Sequence, residues 1–306
     1  MTPQVSVIIP NYKHAPYLKE RIDSVLNQSY HDFEVLLLDD CSPDNSRAIM
    51  EEYRSNPHVT HVIFNEQNTG NTFLQWERGI KLSSGQYIWI AESDDVAHPD
   101  FLDTLVKELE RHPQAMVAYS HSQMIDSESH NMDFTWHPKG SSGETIVYDG
   151  LWYLRHKMLV HNHIYNASMT LFRKSAFFQV PTSYQQYRYC GDWLFWNHIC
   201  QQGQVIEVCK VLNYYRQHQQ KVTMSSQLDG RKWRDIAGIL HEFSDMLQLS
   251  TLERRCLRGR WTKRFNKENG QEHPDIRQAF PDLYDGTFCD MLLYEIGKWF
   301  GFLKRQ

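Results

Sequence analysis

Four apolar runs, each followed by residues at helical spacing, constrain the fold of this chain more than any other feature. The runs are "VSVIIP" (5–10), "FEVLLLDD" (33–40), "VTHVIF" (59–64) and "QYIWIA" (86–91). Between them Leu18, Ile22, Val25 and Leu26, then Ile49 and Tyr53, then Phe73, Trp76 and Ile80 recur three or four residues apart, the period of a helix face. A fifth run, "AMVAYS" (115–120), follows the amphipathic set Leu102, Leu105, Val106 and Leu109, with Pro99 read as a first-turn residue. Strands apolar on both faces and alternating with helices predict an α/β fold, a mostly parallel central sheet flanked by helices.

Beyond about residue 130 the pattern loosens. "HPKGSSGET" (137–145) reads as a Gly/Ser loop with the composition of a mobile segment, "ASMTLFRKSAF" as a strand running into a helix, and "DWLFWNHICQQG" as a buried helix stopped by Gly203. "QVIEVCKVLNYYR" reads as a strand pair. From about 230 the chain is helical: Trp233, Ile236, Leu240, Phe243 and Leu247 share one face, and Leu292, Ile296, Trp299 and Leu303 another. No internal repeat is present.

Two strands end in acids: Asp39 and Asp40, then Glu92, Asp94 and Asp95. In open parallel sheets ligands bind outside the carboxyl ends of strands. Carboxylates gathered there repel one another and resist joint desolvation. A divalent cation relieves that, and an oxygen-only ligand set favours Mg²⁺ or Mn²⁺, ions that bridge carboxylates to phosphates. The plainer reading is a pair of solvated turns with helix-capping acids, which suits Asp44 or Ser42; three acids in four residues exceed what one cap needs. No GxxxxGK[ST] or GxGxxG occurs, so neither a P-loop nor a dinucleotide-binding loop is offered. A net charge of −5 gives no basic surface for nucleic acid. "HNH" (161–163) lacks further ligands at metal spacing and reads as a polar loop.

The N-terminus has no charged n-region or long apolar h-region, and the six cysteines form no CxxC pair. Reduced thiols in a cytoplasmic protein are the expectation.

Four blocks carry a resemblance. "VSVIIPNYKHAPYLKERIDSVLNQSYHDFEVLLLDDCSPDNS" and "NEQNTG…GIKLSSGQYIWIAESDD" resemble the opening blocks of family 2 glycosyltransferases, over about residues 4 to 125. A weaker match continues through "YCGDWLFW" and "YYRQH" to about 225. The resemblance implies a GT-A fold spanning 1–225, with a nucleotide-binding half (about 1–125), an acceptor half (about 126–225) and a helical extension over 226–306. It implies an inverting, metal-dependent transferase with Mn²⁺ or Mg²⁺. Its donor would be a nucleotide-sugar, a UDP-sugar by family frequency. Its acceptor would be a saccharide or lipid-linked hydroxyl in polysaccharide or lipopolysaccharide assembly.

Carried over by position, Pro10, Asn11 and Tyr12 would border the nucleoside, and Asp39 and Asp40 would accept hydrogen bonds from base or ribose. Asp94 and Asp95, with Glu92, would serve the metal and donor sugar, and His218 would be an added metal or diphosphate contact. Asp192 would be the catalytic base, and Asn166 and Ser168 are acceptor-side candidates. Glu92 stands where Asp is usual and Gly191 where Glu is frequent. Those two departures keep open a non-catalytic nucleotide-sugar-binding or regulatory protein of the same fold. A nucleotidyltransferase ranks lower, because the loop after the first strand, "PNYKHAPY", is not glycine-rich. The tail "MLLYEIGKWFGFLKRQ" has the apolar face and basic end of an interfacial helix. Asp290 and Glu295 dilute its positive charge, and the plainer reading is a helix packed on the core or on a second copy in a homodimer. Membrane contact would place the protein at the inner face of the membrane.

Overall fold

The structure is a computed structural model, and it describes residues 2–135, 142–218, 230–268 and 270–299. The Gly/Ser loop is described only from 142 onward; Leu303 and the basic chain end lie outside the described residues. The chain divides into two compact units that interleave in sequence. One comprises Met1–Tyr148, Asn166–Val180 and Gln202–His218; the other Asp149–Tyr165, Pro181–Gln201 and Gln219–Gln306.

The first unit holds a sheet of nine strands among the described residues. Strands β1 (Val5–Asn11), β2 (Phe33–Asp39), β3 (Val59–Phe64) and β4 (Tyr87–Ile90) are the apolar runs of the sequence. β1 lies between β2 and β4, and β2 pairs β3, all parallel. β5 (Val96–Ala97), β6 (Ala115–Ile125), β7 (Thr145–Tyr148), β8 (Thr170–Arg173) and β9 (Gln204–Arg216) complete it. The order is β3-β2-β1-β4-β8-β6-β9-β5, with β7 also on β9. β8 is antiparallel to both neighbours, β6 and β9 are parallel, and β5 and β7 are antiparallel to β9. The sheet is thus parallel in its first half and mixed in its second. "QVIEVCKVLNYYR" is one thirteen-residue strand, not a pair. Its ladder with β6 shifts register between Ala115 and Val117, at Ser120/His121 and again at His121/Ser122, irregularities of the kind that interrupt a long strand without dividing it.

Helices α1 (Ala15–Leu26), α2 (Ser46–Glu52), α3 (Thr72–Leu82) and α4 (Phe101–Arg111) cover the sheet. The buried faces of α1, α3 and α4 are the expected ones: Leu18, Ile22 and Val25; Phe73, Trp76 and Ile80; Leu102, Leu105, Val106 and Leu109. On α2 the buried residues are Ser46 and Met50, and the expected Ile49 and Tyr53 are only partly buried against the core. Leu18, Ile22, Val25 and the α4 set join one core cluster with Val5, Val7, Ile9, Val35, Leu37 and Trp89. Burying each such side chain is worth about 1.5–3 kcal/mol. Pro99 precedes α4 rather than entering it: Asp100 is the cap residue, and the Pro99 carbonyl accepts the Ser29 N–H at 2.9 Å. At the start of α2 the cap position belongs to Asn45, while the Asp44 carboxylate accepts from the Ser46 amide and, across the loop, from the Ala15 amide.

The second unit is helical: α5 (Gly150–Tyr153), a turn of π-helix (Leu154–Met158), α7 (Gly191–Cys200), α8 (Arg231–Met246), α9 (Thr251–Lys267), α10 (Pro274–Ala279), α11 (Pro281–Tyr284) and α12 (Phe288–Trp299); the short α6 (Lys174–Phe177) belongs to the first unit. The Trp233, Ile236, Leu240, Phe243 and Leu247 face is buried as its spacing predicts. α9 opens with a capping box, Ser250 with Glu253. No helix among the described residues is long and apolar enough to cross a membrane. All six cysteines are free thiols.

Candidate functional site

β1, β2 and β4 are parallel neighbours, so their carboxyl ends share one rim, and both acid groups emerge there. At the end of β1, Asn11 donates its side-chain amide to Asp39 Oδ1 (2.9 Å) and to Ser42 Oγ (3.1 Å). Asp39 Oδ2 takes the Ser42 amide (2.9 Å), and Arg47 Nε lies 3.5 Å away. Pro10 is buried within β1 against Leu38, while Tyr12 is 39% exposed at the rim. Asn11 and Asp39 are therefore joined at this rim, with Tyr12 next in the chain and exposed.

Asp40 has a different setting. Its two carboxylate oxygens accept from the side chains of Asn65, Asn68, Thr69 and Gln75 and from the Thr69 amide, at 2.7 to 3.1 Å. It ties the loop after β3 to the end of β2, and its lone pairs are already in use.

The three acids after β4 part in the same way. Glu92 is held by the Trp76 indole N–H at 2.8 Å. Burial, then the nearby Asp94 charge, push its carboxyl up to about 8. Asp95 is fully buried. Its Oδ2 accepts from Asn166 (2.8 Å) and Ser168 (2.7 Å), and its Oδ1 from the Arg216 amide (3.0 Å). Arg21, buried and 4.0 Å from Asp95, stacks over Trp89 and donates Nε to the Glu92 carbonyl. Its pKa is lowered by burial, against the pull of Asp95 and Asp94. Asn166 and Ser168 thus hold Asp95, and the acid knot is balanced largely by the protein's own donors and guanidinium groups.

Asp94 is the acid whose carboxylate meets other metal-ligand groups. His218 Nε2 lies 3.1 Å from Asp94 Oδ2. His14, in the loop between β1 and α1, completes the cluster: one ligand atom each from His14, Asp94 and His218 lie within 4.8 Å of one another. The His14 and His218 rings meet edge to face at 5.5 Å, and Ser93 Oγ is 2.9 Å from His14 Nδ1. Lys13 takes a left-handed φ of 62° in the residue before, a conformation that non-glycine residues adopt sparingly and mostly where structure demands it.

Arg216 underpins the cluster. It is buried beneath Tyr17, donates Nε to the Asp94 carbonyl (2.7 Å) and reaches Asp126, Ser129 and Glu20. A two-imidazole, one-carboxylate donor set fits a divalent transition ion, where the expected set is three carboxylates with His218 as an added contact. Glu92 and Asp95, expected among the ligands, are engaged elsewhere. His14 was not anticipated; its place beyond the carboxyl end of β1 was the available signal.

In the helical unit, Asp192 lies in the first turn of α7. Asn162 Nδ2 donates to its Oδ2 at 3.1 Å. Burial pushes its carboxyl up to about 7, against hydrogen bonds from the Trp193 amide and Asn162. "HNH" therefore includes the side chain that orients Asp192. His161 and His163 flank it with rings 5.8 Å apart, and among the described residues they join no three-residue metal cluster.

Comparison with known proteins agrees with this architecture. TuaG of Bacillus subtilis, a glycosyltransferase assigned to teichuronic acid biosynthesis, is 33% identical over 118 residues, 39% of this chain and 45% of that protein. Glycosyltransferase GlyG of Streptococcus pneumoniae is 31% identical over 110 residues, 36% of each chain. The chain thus matches less than half the length of these two curated relatives. The crystal structure of S. aureus TarS 1–349 superposes with a TM-score of 0.61 at 17% identity, over 91% of this chain and 81% of that one. A TarS 1–349 complex with UDP-GlcNAc gives 0.63 at 18%, over 86% and 73%. At such identities the likeness speaks for the fold, which is GT-A-like. The family model described as "Glycosyl transferase family 2" matches residues 6–179, more than half of the 306, and the chain belongs to that family.

Proposed function

We propose that the protein is an inverting glycosyltransferase that moves a sugar from a nucleoside diphosphate, UDP before others, to a hydroxyl of a saccharide or lipid-linked acceptor in surface-polysaccharide assembly. The observation that carries this is the rim of β1, β2 and β4, where the Asn11–Asp39 pair adjoins a buried Asp94 flanked by His14 and His218. Family membership, the TuaG relative and a fold shared with a protein solved with UDP-GlcNAc support it.

Asn11, Tyr12 and Asp39 would hold the nucleoside, with Asp39 accepting from base or ribose. His14, Asp94 and His218 would hold a divalent cation, Mn²⁺ fitting the mixed donor set better than Mg²⁺. Bound there, the ion supplies positive charge facing a diphosphate leaving group. Arg216, through the Asp94 carbonyl and the Asp95 carboxylate, fixes the backbone on which Asp94 stands. An acceptor hydroxyl attacks the anomeric carbon from the face opposite the diphosphate, the carbon–oxygen bond to the diphosphate breaks, and the hydroxyl proton passes to Asp192. A base must be ionised to accept a proton, and a carboxyl that titrates near 7 combines availability with strength at neutral pH.

The deciding experiment is thermal unfolding with a panel of nucleoside diphosphates, with Mn²⁺, Mg²⁺ or EDTA, on wild type and Asp94→Asn. A ligand at about a hundred times its dissociation constant stabilises by about 2.7 kcal/mol. Stabilisation by one nucleotide that needs both metal and Asp94 is the expected result. No stabilisation under any combination would overturn the donor site. Donor binding without transfer or donor hydrolysis would instead favour a binding protein of this fold.

A further inference from the structure

A second cluster of metal-ligating side chains lies within the sheet, on residues the transferase reading does not use. His121 on β6 and Glu207 and Cys209 on β9 each bring one ligand atom within 4.8 Å of the others. They are 4%, 8% and 8% exposed. We propose that His121, Glu207 and Cys209 form a binding site for a thiophilic divalent cation, zinc by its chemistry, that fastens β6 to β9.

Register brings the three together. Tyr119 pairs Glu207, so their side chains share a sheet face, and the period of two puts His121 and Cys209 on that face as well. The ladder then breaks: Ser120 pairs Val208 but His121 pairs Val211. Cys209 and Lys210 are the extra residues of an irregularity in β9. Bulges of this kind re-aim side chains and recur beside functional sites. Here the ladder partner of His121 becomes Val211, and the pairing with β6 passes over Cys209, whose ligand atom stays within 4.8 Å of those of His121 and Glu207.

Charge and hydrogen bonding fit a cation. His121 Nε2 stands 3.1 Å from Glu207 Oε1. The other carboxylate oxygen, Oε2, accepts the Tyr148 hydroxyl from β7 at 2.9 Å. A ligating carboxylate oriented by a neighbouring hydrogen bond is the usual outer arrangement of a metal site. A glutamate carboxylate and a cysteine thiolate sum to two negative charges and the imidazole ligates as the neutral ring. A divalent ion would make the buried group electroneutral, which removes the main cost of burying charge. One nitrogen, one oxygen and one sulfur match zinc, whose bonds of roughly 2.0–2.3 Å set its ligand atoms roughly 3.3–3.7 Å apart. The His121–Glu207 spacing is near that already. Binding requires loss of the Cys209 proton, so affinity rises with pH. The donor-rim cluster contains no sulfur, which makes the two sites separable by spectroscopy.

The test is titration of the metal-stripped full chain with Co²⁺ and then Zn²⁺. A thiolate-to-cobalt charge-transfer band is expected in the near ultraviolet, lost on adding zinc. It should be absent from Cys209→Ser and retained in His218→Ala. A parallel measurement needs no variant: peptide mapping of wild-type alkylation by iodoacetamide. Zinc at ten times its dissociation constant should slow modification of Cys209 about tenfold, with no matching change at the other five cysteines. Absence of the band, its survival in Cys209→Ser, or unchanged Cys209 alkylation would each overturn the site. None of these readouts depends on nucleotide-sugar transfer, so the donor-site proposal stands or falls separately.

Discussion

A carboxylate stands at each end of one strand, in two different settings. Glu34, near the amino end of β2, is buried and accepts from Ser6, Thr60 and Ser84, both the Ser84 amide and hydroxyl, at 2.6 to 2.8 Å. Burial alone would raise its pKa; those donors outweigh burial and lower it. Asp39, at the carboxyl end, keeps company with Asn11 and Arg47 on the rim where β1, β2 and β4 end. Among the acids after β4, burial and partners separate the roles of Glu92, Asp94 and Asp95 in a way their spacing does not reveal. His14→Ala should raise the Mn²⁺ concentration for half-maximal donor binding at least about tenfold, the scale on which even outer partners of metal ligands act; calorimetric titration of Mn²⁺ with nucleotide measures it. Asp192→Asn should lower turnover by about 10²–10⁴ with little change in donor affinity. In wild type, turnover should fall about tenfold per pH unit below about 7, because the protonated carboxyl cannot accept a proton. A pH–rate profile flat from 5 to 8 would remove Asp192 from that role.

At the scale of elements, α12 shows how a helix read from one face can be settled by its other. Asp290 is buried and bound by Arg255 Nε (2.7 Å) and Arg258 (2.8 Å) of α9 and by Thr287. Those partners outweigh burial and hold its carboxyl down to about 2. The helices meet so closely that a Cβ on Gly259 would lie 2.1 Å from the Asp290 carbonyl oxygen. Asp290→Ala leaves two guanidinium groups without their anion and should destabilise by about 3 kcal/mol, read by urea unfolding. Phe288, Leu292 and Ile296 occupy the exposed side of α12, at 75%, 47% and 43%. That row is the element on which peripheral membrane contact, as a proposal, rests; absence of flotation with anionic liposomes would remove it. Gly203 is likewise an element-level residue. It does not cap α7 by a left-handed turn; a Cβ there would lie 2.3 Å from the Gln114 carbonyl oxygen, where β9 enters beside β6. Gly203→Ala should cost about 1–3 kcal/mol through forced backbone shifts.

For the whole molecule, the shifted groups predict a stability profile with a maximum in mildly acidic solution. Asp290 and Glu34 have lowered pKa values in the fold. Their contribution is complete above the ordinary carboxyl range and is lost as pH falls, for Asp290 down through about 2. Glu92 and Asp192 have raised values, about 8 and about 7. Their contribution is complete below the ordinary range and is lost as pH climbs through those values. Urea midpoints of the metal-free protein should therefore rise from pH 2 to about 4 and decline between about 4 and 8. A midpoint still rising at pH 8 would contradict the burial of Glu92.

Local physics determined the parallel half of the fold, because apolar runs and helical faces report their own burial through their period. It determined too that acids stand at strand ends, since that follows from order along the chain. The resemblance carried by "PNYK", "AESDD" and "GDWLFW" points to the family without any geometry. Tertiary structure decided the rest. Which acid meets other metal-ligand groups depends on partners far along the chain: Asn166 and Ser168 claim Asp95, Trp76 claims Glu92, and His14 and His218 gather at Asp94. The antiparallel half of the sheet, the bulged register of β9 and the meeting of His121 with Glu207 and Cys209 arise from strand pairing. Period along one strand says which face a residue takes; only the pairing of strands says what stands beside it.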